Sequence, residues 1–316
     1  MRNQTSVREQ LMNDGAGFGE THWLQAHGQR LGLMPGAGGG VAAWQWLREG
    51  TPVDLWRPWD GRTRHMHALA SFPLLPWSNR ISGGGFEHAG RLHSLAPNTP
   101  DDPYPIHGDG WRQPWTLSEV RRDGAQMRLR SEGFGGNPHV YDATQDFTLT
   151  DGGLAQSLTV VHRGDTPLPY GLGQHPWFLR TPTCRVQAPV AGVWRSRPDK
   201  IPTDFTTGFP AGWDLNQGAM VDRIEIDNGF GGWNGQALIE WPERDLRLRL
   251  RAELQRPEGV RACADCLLYA PGTSAVFCLE PVSHPIDAAH LPERPGWTVL
   301  APGQAMTLRL DWRFKA

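Results

Sequence analysis

Two ionisable side chains, one imidazole and one carboxylate, stand out because each lies beside large apolar residues. His175 follows two glycines in the stretch YGLGQHPWFLR and comes just before Trp177 and Phe178. Glu280 ends the apolar run VFCLE, where burial can raise the pKa of a carboxylate towards a base role. An imidazole titrates near neutral pH and can donate a proton. Together the two side chains could perform general acid–base chemistry.

Three further stretches place polar side chains among glycines and aromatic residues. PWSNRISGGG carries Asn79 and Arg80 just before a glycine turn, and IHGDGW carries His107. The segment IEIDNGFGGWNG contains Asp227, predicted to end a strand, and Trp233. An arginine enclosed by apolar neighbours needs hydroxyl or carboxylate partners. These residue types suit a pocket for a small polar ligand.

The elements that must position these side chains are predicted to be antiparallel strands. Apolar and polar residues alternate over 246–254 and 306–315, and shorter alternating runs cover 127–130 and 147–150. Such period-two alternation is typical of half-buried antiparallel strands. Only a brief helix is expected, near 283–291. The sequence therefore predicts an all-β fold, a large antiparallel β-sandwich with few short helices.

Length and composition bound the domain organisation. The 316 residues suffice for one large β domain, which we expect over 21–316. The polar, glycine-containing segment 1–20 is predicted to be a flexible arm and lacks the apolar core of a signal peptide. No stretch approaches the roughly 20 apolar residues of a membrane span. We expect a monomer or a homodimer.

Charge and cysteine content exclude several classes of partner. The chain has 31 basic and 33 acidic residues and a formal net charge of −2, so we expect neither nucleic acid nor a membrane surface as a partner. Four cysteines are few, which fits a reducing compartment and predicts a cytoplasmic location. Cys263 and Cys266 have CxxC spacing, but no second CxxC completes a metal site. We expect ordinary buried thiols and no metal.

Five motifs, in the same order and with similar spacing, resemble the aldose 1-epimerase (galactose mutarotase) family. They are PWSNRI, IHGDGW, GLGQHPWF, DNGFGGWNG and VFCLEP, and the resemblance runs from about Leu31 to the C-terminus. It implies a β-supersandwich of the galactose mutarotase type, with a cleft on its concave face. It also implies that neither a metal nor another cofactor is required.

The resemblance implies interconversion of the α and β anomers of free aldohexoses such as galactose or glucose. A base takes the proton of the C1 hydroxyl while an acid protonates the ring oxygen, and the ring opens. Rotation about C1–C2 and reclosure give the other anomer. By resemblance, Glu280 would be the base and His175 the acid, and the same two groups would serve both directions.

The remaining residues would bind the small-molecule sugar. The resemblance implies that Arg80, His107 and the adjoining Asn79 bind the ring or C1 oxygens, and that Asp227 accepts hydrogen bonds from sugar hydroxyls. From their type and position, we expect aromatic faces for the sugar ring at Trp177, Phe178 and Trp233. His284 and His290 do not belong to the family pattern and are expected to be ordinary loop histidines.

Three alternatives remain open on the sequence. A hexose-6-phosphate 1-epimerase would need cationic groups near the far end of the sugar, which Arg57, Arg62 and Arg64 could supply. A non-catalytic sugar-binding module would use the same aromatic and polar residues but would not need an acid–base pair. A glycosidase or lyase would use two carboxylates, for which Asp227 and Glu280 could serve.

Overall fold

The computed structural model describes residues 18–100 and 102–315, so residues 1–17 of the predicted arm lie outside the described residues. The described part contains 26 strands: β1 (His22–Ala26), β2 (Gln29–Met34), β3 (Gly40–Arg48), β4 (Thr51–Asp54), β5 (Pro73–Leu74), β6 (Gly85–His88), β7 (Arg91–Ser94), β8 (Thr116–Ser118), β9 (Gly124–Glu132), β10 (Val140–Thr150), β11 (Gly153–His162), β12 (Leu168–Tyr170), β13 (Gly173–Gln174), β14 (Trp177–Leu179), β15 (Arg185–Gln187), β16 (Gly192–Ser196), β17 (Pro202–Thr206), β18 (Ala219–Met220), β19 (Ile226–Gly231), β20 (Gln236–Trp241), β21 (Leu246–Arg256), β22 (Gly259–Ala262), β23 (Asp265–Ala270), β24 (Val276–Val282), β25 (Thr298–Leu300) and β26 (Ala305–Lys315).

Helical structure in the described residues is limited to six single turns of 3₁₀ helix: Met66–Ala68, Gly110–Arg112, Phe134–Gly136, Val221–Arg223, Pro242–Arg244 and Ala288–His290. The last of these lies within the predicted brief helix near 283–291. None of the helices in this part of the chain has the length and hydropathy that a membrane crossing requires.

Two large sheets dominate the fold. One has ten strands in the order β18-β15-β20-β21-β26-β11-β10-β9-β8, with β22 paired to β21. The other has eight strands in the order β17-β16-β19-β23-β24-β13-β5, with β14 also paired to β24. The strand pairings described in both sheets are antiparallel. The predicted all-β, antiparallel sandwich is therefore confirmed.

The main hydrophobic core lies between these two sheets, and the alternation in the sequence explains why. Along β21 the leucines at 246, 248, 250 and 254 are buried while the intervening arginines are exposed. From the eight-stranded sheet, Phe178 meets Trp312 of β26 with ring centroids 6.1 Å apart. Each buried aromatic or aliphatic side chain of this kind stabilises the fold by roughly 1.5–3 kcal/mol.

Strand β24 positions the candidate site because its side chains alternate between the two faces of the sheet, both of which are buried here. Phe277 and Leu279 belong to the main core. Cys278 and Glu280 therefore point to the opposite face of the sheet, as period-two geometry requires. Cys278 is the register partner of Trp177 on one neighbouring strand and of Tyr269 on the other.

Several local predictions can be compared with the structure. The longest predicted alternating runs, 246–254 and 306–315, lie in β21 and β26. The prediction that a strand ends at Asp227 is wrong, because β19 begins at Ile226 and continues to Gly231. All four cysteines are buried free thiols, as the sequence predicted.

Candidate active site

His175 and Glu280 meet on the face of the eight-stranded sheet that is turned away from the main core. Nε2 of His175 lies 3.3 Å from Oε1 of Glu280, and both side chains are nearly fully buried. The imidazole stacks on Phe72, with ring centroids 4.5 Å apart and an interplanar angle of 19°. The backbone N–H of His175 donates to the carbonyl of Phe72 over 3.0 Å. Both the ring and its backbone are thus fixed against the same neighbour.

The surroundings of this pair favour uncharged groups. Burial raises the pKa of Glu280 well above its usual range, the negative charge of Asp227 raises it further, and Arg80 opposes the rise. Burial lowers the pKa of His175 well below its usual range, with further lowering from His107 and His67. Oε2 of Glu280 and Nδ1 of His175 have no hydrogen-bond partner among the described residues.

His107 is held as a neutral ring with a defined tautomer. Burial lowers its pKa well below the usual range, and the charges of His67 and Arg80 lower it further. Its Nδ1 accepts the backbone N–H of Asn79 over 3.0 Å. The remaining proton must therefore be on Nε2. The ring stands at 80° to that of His175, with centroids 5.4 Å apart.

The glycine that follows His107 explains the sequence IHGDG at this point. Gly108 has a φ of +68°, and a Cβ there would lie only 2.0 Å from the carbonyl oxygen of Leu75. Only glycine fits this close backbone approach. The glycine lets the chain turn so that His107 reaches the site.

Arg80 is fixed by the side chain of the preceding residue, Asn79, and by that of Asp102 from another loop. Its Nε donates to Oδ2 of Asp102 over 2.7 Å, and its Nη1 donates to Oδ1 of Asn79 over 3.1 Å. The arginine is mostly buried, so this pair is better shielded than a surface ion pair. The planar guanidinium keeps further N–H groups with which it can bind ligand oxygens.

Asp227 lies in the same region as Glu280 and Arg80. Burial raises its pKa, while Arg80 and Lys200 oppose that rise. Nζ of Lys200 is 3.9 Å from Oδ2 of Asp227. Asp227 thus interacts electrostatically with Glu280 and Arg80. The structure brings together six of the predicted site residues: His175, Glu280, His107, Asn79, Arg80 and Asp227.

The three predicted aromatic residues have different positions. Trp177 lies beside His175, with ring centroids 5.1 Å apart. The guanidinium carbon of Arg57 lies over the ring of Trp177, 5.4 Å from its centroid. Phe178 and Trp233 instead belong to the main core. The indole of Trp233 donates to the carbonyl of Gln236, so the structure does not bring this residue to the group.

Two residues beside the candidate pair, His67 and Cys278, were not identified from the sequence. His67, on the 3₁₀ turn Met66–Ala68, stacks beside His175 with centroids 5.7 Å apart. The residue is partly open to solvent, but desolvation of its ring and then the charges of His65 and Arg57 lower its pKa to about 4. No sequence signal marked His67, which lies in a polar loop. Cys278 could have been found, because it precedes Glu280 by two residues on the same strand.

The two histidines outside the family pattern fasten the Asn79–Arg80 segment rather than contact the pair. Nε2 of His284 accepts the backbone N–H of Ser78 over 3.1 Å, and its Nδ1 lies 2.7 Å from the carbonyl of Pro285. Nδ1 of His290 contacts Asp287, whose carboxylate accepts both the N–H and the hydroxyl of Ser82. His284 is thus a buried structural group, whereas His290 is an exposed residue at the end of the 3₁₀ turn Ala288–His290.

Comparison with known proteins gives a consistent result. The family model for aldose 1-epimerase matches residues 24–312. The Escherichia coli K12 protein YphB, which is uncharacterized, is 36% identical over 297 residues, or 92% of this chain and 99% of YphB. A second E. coli protein, the uncharacterized YihR, is 28% identical over 189 residues, or 56% of this chain and 60% of YihR.

Solved structures share the fold. A candidate aldose 1-epimerase from E. coli K12 has a TM-score of 0.84 and 30% identity, covering 94% of this chain and 99% of its own. A galactose mutarotase-like protein from Clostridium acetobutylicum has a TM-score of 0.78 and 18% identity, covering 93% of this chain and 94% of its own. The second likeness bears on the fold alone.

Proposed function

Because the chain belongs to the aldose 1-epimerase family, we propose that it is an isomerase that interconverts the α and β anomers of free aldohexoses such as galactose or glucose. The observation that carries this proposal is the 3.3 Å separation of Nε2 of His175 from Oε1 of Glu280 on a buried face. A base and an acid this close can both reach a C1 hydroxyl and its neighbouring ring oxygen.

The ring-opening step conserves the charge of the pair. Ionised Glu280 takes the proton from the C1 hydroxyl, and protonated His175 gives its proton to the ring oxygen as the C1–ring oxygen bond breaks. The products are an open-chain aldehyde, a neutral carboxylic acid and a neutral imidazole. The pair has zero net charge before and after the step, so the buried site never has to accept an uncompensated charge.

The same two groups close the ring. After rotation about C1–C2, His175 takes the proton from the attacking hydroxyl and Glu280 returns its proton to the aldehyde oxygen. The surroundings that favour the neutral forms stabilise the open-chain stage, in which both groups are neutral. A carboxylate and an imidazole whose pKa values are set by burial can thus serve in both directions.

The neighbouring polar groups have defined roles in this proposal. His107 donates from Nε2 to the ring oxygen or the C1 oxygen, since its Nδ1 is occupied by Asn79. Arg80, held by Asp102 and Asn79, stabilises negative charge that develops on the same oxygens. Asp227 accepts hydrogen bonds from sugar hydroxyls, and Trp177 provides an apolar face for the ring.

The contacts of Arg57 weigh against a 6-phosphate as the required substrate group. Both terminal nitrogens of Arg57 donate to backbone carbonyls, those of Ala68 and His67, so this guanidinium is already engaged. Arg62 and Arg64 are exposed on the loop between Arg57 and the 3₁₀ turn Met66–Ala68. A non-catalytic sugar-binding module remains the second alternative, and it does not account for a buried acid–base pair.

The test is polarimetry on freshly dissolved α-D-galactose and α-D-glucose, each with and without the protein. We expect a protein-dependent acceleration of the approach to the anomeric equilibrium. The same assay with glucose 6-phosphate separates the phosphate-requiring alternative. Sugar binding without acceleration would support a binding module instead. We also propose a cytoplasmic location, on the basis of four free thiols, and a monomeric or homodimeric state.

A further inference from the structure

The face that carries the acid–base pair also carries a thiol. Cys278 precedes Glu280 by two residues on β24, so both side chains point to the same face. One ligand atom from each of His175, Cys278 and Glu280 lies within 4.8 Å of the other two. All three residues are buried. An imidazole nitrogen, a sulfur and a carboxylate oxygen thus converge on one point.

We propose that His175, Cys278 and Glu280 form an inhibitory binding site for Zn²⁺. This site regulates the proposed mutarotase activity, and its inhibitory effect therefore rests on the proposed function, whereas metal binding itself does not. The ion engages Nε2 of the imidazole and an oxygen of the carboxylate, the two atoms needed for proton transfer. A sugar and the ion consequently exclude each other.

The distances fit a metal ion with little rearrangement. Three atoms that all lie within 4.8 Å of one another have a common centre no more than about 2.8 Å from each of them. Zinc–ligand distances are about 2.0–2.3 Å. Shifts of less than about 1 Å therefore bring the three atoms to bonding distance.

The charges of the donor set select the ion. A thiolate and a carboxylate together neutralise a divalent cation, and the imidazole adds no charge, so the complex is neutral. A neutral complex can form in a buried place where an uncompensated ion is costly. Binding transfers the thiol proton and any carboxyl proton to solvent. Sulfur and nitrogen donors favour Zn²⁺ over Mg²⁺ or Ca²⁺, which prefer oxygen ligands throughout.

Two unpartnered polar atoms support the assignment. Oε2 of Glu280 has no hydrogen-bond partner among the described residues, so a second carboxylate oxygen is available to the ion. Nδ1 of His175 is likewise without a partner in this part of the chain, so no acceptor of the ring proton has to be given up or replaced at Nδ1 when the metal binds at Nε2. With the proton on Nδ1, the Nε2 lone pair is free for the metal. Three protein ligands leave a fourth position for water, as in other open zinc sites.

Cobalt(II) provides a direct probe, because a thiolate bound to this ion gives a charge-transfer absorption that needs no sugar and no activity. Titration of the full-length protein with Co²⁺ should produce this absorption at one equivalent, and Zn²⁺ should abolish it. The variant Cys278→Ser should lose the absorption. The matched control Cys184→Ser removes a buried thiol of the main core and should retain it.

A second arm measures inhibition and protects the test against misfolding of one variant. Zn²⁺ should slow wild-type mutarotation at least tenfold, and a chelator should restore it. Cys278→Ala and Cys278→Ser should each be at least tenfold less sensitive to Zn²⁺, relative to their own metal-free rates. An absent thiolate absorption in the wild type, an unchanged absorption in Cys278→Ser, or equal sensitivity of wild type and both variants would overturn the proposal. Because the absorption is measured without sugar, a protein that does not catalyse mutarotation can still show it. Conversely, a protein without the absorption can still catalyse mutarotation.

Discussion

The backbone N–H of Asn79 donates to Nδ1 of His107 over 3.0 Å, and the backbone N–H of His107 donates back to the carbonyl of Asn79 over 3.0 Å. This reciprocal contact joins the two loops that carry the proposed oxygen-binding groups. It also leaves Nε2 as the one ring nitrogen from which neutral His107 can donate. The role of His107 therefore depends on a backbone contact as much as on its own side chain.

Two substitutions at His107 separate its two nitrogens. His107→Gln places an amide N–H near the position of Nε2, whereas the shorter His107→Asn reaches only the position of Nδ1. We expect kcat/KM for mutarotation to fall about 10²-fold in His107→Asn and by no more than about tenfold in His107→Gln. Polarimetry over a range of sugar concentrations measures both. The opposite order of activities would refute the assigned tautomer.

The contact between Arg80 and Asp102 gives a second prediction. Arg80→Lys keeps the charge but loses the planar fork that contacts both Asp102 and Asn79. We expect kcat/KM to fall between about tenfold and a hundredfold, and Asp102→Asn to have a smaller effect in the same direction. The control is Arg130→Lys, an exposed arginine paired with Glu132, which should leave kinetics unchanged. Wild-type kinetics in Arg80→Lys would show that the fork is not used.

Trp177 and Trp233 should separate sugar binding from stability. Trp233 is a core residue, so Trp233→Ala should lower the free energy of unfolding by about 3–5 kcal/mol. Trp177 lies beside His175, so Trp177→Ala should raise KM or lower kcat by about tenfold or more. Urea unfolding and polarimetry on both variants test this. An altered KM in folded Trp233→Ala with none in Trp177→Ala would reverse the assignment.

The sequence allowed the fold to be predicted because alternation is a local property. In β21 and over 306–315 of β26 every second residue is apolar, and burial in the structure follows the same period except at Thr307, which is also buried. The position of Asp227 was less predictable. The run IEIDNG has no feature that distinguishes the start of a strand from its end, and pairing of Asp227 with Tyr269 on β23 decides the matter.

The proximity of the candidate residues was predictable where a motif carried them and not where packing alone brought them together. His175 and Glu280, chosen from their apolar neighbours and from resemblance to a family, lie 3.3 Å apart. Trp233 was assigned to the sugar by residue type, but its indole donates to the carbonyl of Gln236 within the core. His67 reaches His175 only because the turn Met66–Ala68 folds back over Phe72. Contacts of this kind depend on tertiary structure that local sequence does not encode.

His284 should make stability depend on pH. Its pKa is lowered from 6.5 to about 4 by burial, so below pH 6.5 the unfolded chain binds a proton that the folded state excludes. The contribution of His284 to the free energy of unfolding is fully present above about pH 6.5 and is lost as the pH falls towards 4. The loss should be about 3 kcal/mol between pH 7 and pH 4. His284→Gln, which can still accept from Ser78, should lack this component.

Urea unfolding of wild type and His284→Gln at several pH values measures the difference, which cancels the contributions of other groups. The exposed His22→Gln variant is the control and should keep the wild-type slope. Parallel curves for wild type and His284→Gln would show that His284 is not held neutral in the fold.

The most direct test of the central claim is polarimetry on Glu280→Gln and His175→Asn with freshly dissolved α-D-galactose or α-D-glucose, combined with calorimetric sugar binding. Both variants keep side chains of similar size, so the fold and sugar binding should largely survive. Because each variant removes one of the two groups 3.3 Å apart that exchange protons with the sugar, we predict that the catalysed rate falls by at least about 10²–10⁴-fold. Wild-type acceleration in either variant would contradict the assignment of base and acid.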